Sequence, residues 1–165
     1  MNETKLRILS AIGLVAIYLV MIFHSGWFYL ELIAFAILAT YAGLKELYAF
    51  CTREDSKPFF LTGFAYSTII LLVYYLQFLG LQFEVSPPSQ LVKLSQALRE
   101  GFHPIPLVLM VFSIHVWVLQ ILKRPLDGAL FSATATIFGA LYLALPMGTF
   151  FLLRAEPQGA YLIFY

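Results

Sequence analysis

Residues 128–153 read G-A-L-F-S-A-T-A-T-I-F-G-A-L-Y-L-A-L-P-M-G-T-F-F-L-L, with no Asp, Glu, Lys or Arg anywhere in the run. A helix rises about 1.5 Å per residue, so about 20 predominantly apolar residues cross the ~30 Å hydrocarbon core of a bilayer. Working outward, three more charge-free runs of that order are present: 101–122, 58–83 and 8–30. Such runs leave almost no material for a soluble core. Composition agrees, at 61% hydrophobic and 12% charged residues, against about 45–50% and about 25% in ordinary soluble domains. The chain reads as an all-α polytopic integral membrane protein, one helical region from 1 to 165.

The patterning predicts about five spans and the beginning of a sixth. The first, 6–23, follows Lys5 and Arg7. That start resembles a signal peptide, but no A-x-A site follows, so the segment reads as an uncleaved first helix. His24-Ser25-Gly26 turns the chain into a second span at 27–48, with Trp27 and Tyr29 suited to the interfacial aromatic belt. The polar stretch Thr52–Pro58 leads to a third span at 59–81. The fourth is 105–122 and the fifth 130–153, where Pro146 is expected to kink the helix because it supplies no amide hydrogen to the preceding turn. Residues 159–165 look like the first turns of a sixth, truncated span.

Orientation follows from the basic residues. With a cytoplasmic amino terminus, one face carries Lys5, Arg7, Lys45, Arg53, Lys57, Lys123 and Arg124, and the other only Lys93, Arg99 and Arg154. Lys and Arg collect in short cytoplasmic loops, so the amino terminus is placed in the cytoplasm, across an inner or plasma membrane if the source is bacterial. Between the third and fourth spans, Pro87-Pro88 stops the helix. Ser89 then suits an N-cap, and Leu91, Leu94 and Leu98 fall on one side of a short amphipathic helix. That helix lies flat on the outer membrane surface or packs on the protein; both readings stand.

Function classes narrow quickly. A net charge of +1 offers no basic face for nucleic acid. The lone cysteine, Cys51, excludes an internal disulfide. No C-x-x-C, H-E-x-x-H or glycine-rich phosphate loop is present. Asp55 and Asp127 sit in charged loops and give no credible carboxylate set for a magnesium nucleotide. Polar groups at membrane depth default to functional candidates. His115, in the fourth span, reads as an imidazole hydrogen-bonded between helices or as a proton relay. Glu31, in the first turns of the second span, reads as a solvated carboxylate or as a proton- and cation-exchanging one. In the fifth span, Ser132, Thr136, Ala140, Ala144 and Gly148 recur every four residues. Such a stripe of small side chains lets helix backbones approach closely, within the chain or in a homodimer.

The opening K-L-R-I-L-S-A-I-G-L-V-A-I-Y-L-V, then G-W-F, then L-K-E-L-Y-A-F resembles the amino terminus of the phosphatidate cytidylyltransferase (CDP-diglyceride synthase) family. Lys45-Glu46-Leu47-Tyr48 occupies the place of the family's E-F-Y-like cluster. F-G-A-L-Y-L-A-L-P-M-G-T-F-F-L-L-R, followed by G-A-Y-L-I-F-Y, resembles the family's G-x-x-Y-x-x-x-P helix just before its catalytic half. The resemblance implies a complete enzyme that transfers a cytidylyl group from CTP to phosphatidate. It would give CDP-diacylglycerol and pyrophosphate for phospholipid biosynthesis, with Mg2+ required. The N-D-T and S-P-K-K-T signature segments are absent, and the family pattern would begin them after Tyr165. No catalytic or metal residue is therefore carried over, no cofactor is expected on this chain, and it is expected to be inactive alone. Arg7 and Lys45 are the candidates for attracting anionic lipid headgroups, at about 1 kcal/mol per charge near an anionic surface. The alternatives are ordinary positive-inside flanking for those two residues and, for the chain, a small transporter or a non-catalytic scaffold subunit.

Overall fold

The structure, a computed structural model, describes residues 29–53, 56–82, 104–123, 126–156 and 158–159. They form four helices: α1 (Leu30–Cys51), α2 (Phe60–Gln82), α3 (Pro104–Lys123) and α4 (Ala129–Ala155). All four are long and apolar enough to cross a membrane, consistent with an integral membrane protein, and no strand occurs among the described residues. The expected five spans plus a partial sixth are not supported: the described residues hold four. The expected first span, 6–23, the surface helix after Ser89, Arg7 and residues 160–165 lie outside the described residues.

The expected boundaries shift for local reasons. The second expected span opened at Trp27, but Tyr29 adopts a left-handed backbone, φ 54°, and α1 starts only at Leu30. A non-glycine residue pays for that conformation through crowding of its Cβ. Here the Tyr29 ring packs edge-on against Phe78, centroids 5.0 Å apart, with the Arg154 guanidinium 5.6 Å from its centre. At the other end α1 continues past Tyr48 to Cys51, and the Thr52 hydroxyl donates to the Tyr48 carbonyl at 2.7 Å. The start of α4 uses Gly128 at φ 69°, a conformation glycine adopts without steric cost. That helix runs through Pro146 without a break, and the Thr149 hydroxyl donates to the Pro146 carbonyl at 2.7 Å.

The central pair is α2 and α4, which share the most extensive contact; α1 and α3 each pack on both of them. Tyr48 near the end of α1 meets Gly63 near the start of α2, while Tyr29 before α1 meets Phe78 late in α2. Helices consecutive in the chain therefore run antiparallel, while the central pair α2 and α4 runs parallel, Ser67 meeting Ala140 and Phe78 meeting Phe151. The end of α1, the start of α2, the end of α3 and the start of α4 share one end of the bundle, the knot end below. Toward the opposite end, an apolar core gathers Leu32, Ile33 and Ala36 of α1, Ile70, Leu71, Tyr75, Phe78 and Leu79 of α2, and Ala144 and Phe151 of α4. A smaller cluster joins Phe112 and Val116 of α3 to Ala133 and Ala140 of α4.

Candidate functional site

At the knot end, one tyrosine joins three helices. Tyr48 is 4% exposed, and its hydroxyl donates to the Thr136 carbonyl of α4 at 2.6 Å. Its ring lies against two glycines that face each other across it. A Cβ at Gly63 of α2 would overlap the Tyr48 hydroxyl, and a Cβ at Gly139 of α4 would overlap ring carbon Cε1. No residue with a side chain fits at either position while the ring stays in place. Ring and helix backbone are in direct contact, the close approach on which packing in lipid depends.

The same end anchors the connection between α1 and α2. Phe59 N–H donates to Thr136 Oγ1 at 2.8 Å, and Thr136 Oγ1 donates to the Ser132 carbonyl at 2.7 Å. Ser132 Oγ donates to the Lys57 carbonyl at 2.5 Å. Ser56 and Pro58 are buried beneath the turn. A loop backbone buried without partners would be costly, and two hydroxyls of α4 supply them here. Arg53 closes this end, its guanidinium 4.4 Å from the centre of the Phe131 ring.

All five stripe residues, Ser132, Thr136, Ala140, Ala144 and Gly148, are buried. They divide their work. Ser132 and Thr136 hold loop backbone rather than a facing helix. The Ala140 carbonyl faces Ser67 Oγ of α2 at 3.4 Å, and Ala144 joins the larger apolar core. Gly148 lies under the Tyr74 ring, with no room for a Cβ. The stripe is thus filled from within the chain.

Of the two lipid-headgroup candidates, Arg7 lies outside the described residues. Lys45 is exposed one turn before Tyr48, so the knot end carries Lys45, Arg53, Lys57 and Lys123 against Glu46 and Asp127 among the described residues. The opposite end carries Arg154 against Glu31 and Glu156. Glu31 is exposed there. His115 is also exposed, but its Nδ1 lies 3.0 Å from Tyr66 Oη of α2, an interhelical partner the sequence alone does not name. No group of three or more His, Cys, Asp or Glu is gathered among the described residues.

Sequence reasoning missed Tyr48, Gly63 and Gly139 as a unit, along with the loop carbonyl and amide they stand beside. The available signal was the isolated glycine within each apolar helix, which marks close approach of another group. No known protein family, curated protein or solved structure matches this chain.

Proposed function

We propose that this chain is a membrane-embedded helical platform, the non-catalytic amino-terminal part of an enzyme that transfers a cytidylyl group from CTP to phosphatidate. In this reading, residues 6–23 add a fifth span, 159–165 begin a sixth, and the knot end faces the cytoplasm. CTP and phosphatidate are ligands of the complete enzyme, with Mg2+ its cofactor. Lys45, exposed at the knot end, and Arg7 are the residues proposed to attract an anionic headgroup.

One observation carries the reading beyond string similarity. The two stretches that resemble the family, L-K-E-L-Y and F-G-A-L-Y-L-A-L-P, are far apart in sequence, yet Tyr48 of the first packs on Gly139 of the second. The resemblance thus falls on two stretches that pack against each other in this bundle. The basic excess at the knot end supports a cytoplasmic placement, where a water-soluble nucleotide can meet a lipid phosphate.

The test has two arms. Purified 165-residue chain, supplied with CTP, Mg2+ and phosphatidate in vesicles, is expected to form no CDP-diacylglycerol; product formation overturns the platform reading. Coding sequence downstream of Tyr165, or a co-purifying chain, is expected to carry the N-D-T and S-P-K-K-T segments. Their absence from both leaves the scaffold reading without this chemistry. A transporter built on Glu31 or His115 is less favoured, because both side chains lie on the outside of the four-helix body.

A further inference from the structure

We infer that a second copy of this chain docks on the α3 face through the Tyr66–His115 pair. The inference rests on the helices lying in a bilayer and is independent of the cytidylyl reading.

His115 lies eight residues before the end of α3 at Lys123, so it sits about 12 Å in from that end at ~1.5 Å per residue. At that depth lipid tails offer no hydrogen-bonding group, and polar side chains in spans ordinarily turn inward or find partners. His115 instead faces outward, and its one hydrogen bond among the described residues is to Tyr66 Oη, at 3.0 Å. Tyr66 is fixed in place by stacking on Phe112, with ring centroids 4.6 Å apart.

The chemistry of the pair selects its occupant. If the Tyr66 hydroxyl donates to Nδ1, the imidazole presents an Nε2–H donor and the phenol oxygen keeps an acceptor. If Nδ1–H donates instead, the phenol presents an O–H donor and Nε2 is the acceptor. Either tautomer leaves one donor and one acceptor side by side. Such a pair is complementary to itself under a two-fold rotation. Two copies inserted in the same orientation and related by an axis along the membrane normal bring the two pairs to the same depth. Each His115 can then bond the partner copy's Tyr66, and the reverse.

The surroundings suit such a contact. Val111 and Val118, one turn to either side of His115 on α3, are 44% and 45% exposed, and the exposed apolar face of the helix continues through Ile114 and Trp117 at 56% and 39%. Of the four spans, α3 is the least buried within the fold. The small-residue stripe of α4 is already filled, so self-association through that stripe is not open to the folded chain.

The test is energy transfer between donor- and acceptor-labelled full-length chain in phosphatidylcholine vesicles, across a lipid-dilution series. Wild type is expected to associate. His115→Leu and Tyr66→Phe are each expected to raise the dissociation density about tenfold, the scale of losing two interhelical hydrogen bonds in lipid. His115→Gln, whose amide offers a donor and an acceptor, is expected to stay within about threefold of wild type. Both substituted positions lie at the rim of the fold, and unchanged helical circular dichroism will show that the monomer is intact. In a Cys51→Ser background, Val118→Cys is expected to form a crosslinked dimer and Leu38→Cys on α1 to form none. A monomer at every density, association indifferent to His115→Leu and Tyr66→Phe, or crosslinking at 38 but not at 118 would each overturn the proposal.

Discussion

The two ends of the bundle are held by different physics. Toward one end, Tyr75, Phe78 and Phe151 form an aromatic cluster with centroids 6.0–6.3 Å apart, backed by Leu32, Ile33 and Leu71. At the other end Tyr41, Tyr48, Phe60 and Phe64 also pack ring on ring, with centroids 5.3–6.3 Å apart, so aromatic packing is not what sets that end apart. The difference is that Tyr48 lies between two glycines, and Ser132 and Thr136 hold a loop by its backbone. Lipid tails are as apolar as a leucine side chain, so burying apolar surface between helices gains little by transfer alone. The Phe78 end gains dispersion from dense packing, which tolerates a change of shape at modest cost. The knot end depends in addition on there being no side chain at two positions and on satisfied polar groups, which tolerate almost none.

The sharpest way to break that asymmetry is Gly139→Leu. Its side chain and the Tyr48 ring require the same space, so either the α1–α4 contact opens or the fold is lost. Overpacking alone costs about 1–3 kcal/mol, and displacing Tyr48 forfeits the loop end as well, so about 4 kcal/mol is expected. Unfolding in mixed micelles titrated with SDS, followed by circular dichroism, measures it. Adding Tyr48→Ala to Gly139→Leu should recover a substantial part, because the two residues compete for one volume. Phe78→Ala at the opposite end comes next, at about 3 kcal/mol, the low end of what a phenylalanine cavity costs in a soluble core. Were Phe78→Ala to cost more than Gly139→Leu, the order proposed for the two ends would be reversed.

How much of this was legible in the sequence divides along the same line. Apolar run length depends only on composition, and the third, fourth and fifth expected spans match α2, α3 and α4 within one or two residues. The boundary that moved most was that of α1, displaced three residues at each end from 27–48. Its start is set by the backbone of Tyr29, and its end by a hydroxyl on Thr52 that lies beyond the apolar run; neither is a matter of hydropathy. Within the site, the four-residue spacing of Ser132, Thr136, Ala140, Ala144 and Gly148 was visible because one helix carries it. The residues that fill the stripe were not, since Tyr48, Lys57, Phe59 and Tyr74 come from other parts of the chain and periodicity is blind to that. Tyr66 as the partner of His115 was hidden for the same reason: the two lie 49 positions apart.

Two smaller substitutions separate shape from hydrogen bonding inside the knot. Thr136→Val preserves the side-chain outline but leaves the Phe59 N–H, which Thr136 Oγ1 accepts at 2.8 Å, without that acceptor. Losing that acceptor beside a part-buried amide costs about 1–3 kcal/mol, so about 2 kcal/mol is expected. The loss should be concentrated in the 52–59 connection, where limited proteolysis would detect it. Tyr48→Phe is the smallest change and the most discriminating. It removes only the 2.6 Å bond from the hydroxyl to the Thr136 carbonyl, and that carbonyl lies within a continuous helix where it keeps its own helical hydrogen bond. No buried group is orphaned, and the ring still fills the space between Gly63 and Gly139. The expected cost is therefore only about 0.6 kcal/mol, near the average for a hydrogen bond between helices in a membrane. A loss of about 3 kcal/mol instead would mean that the hydroxyl, rather than the glycine-lined space around the ring, joins α1 to α4. Gly139→Leu should then lose its rank, and Tyr48→Ala in that background should rescue nothing.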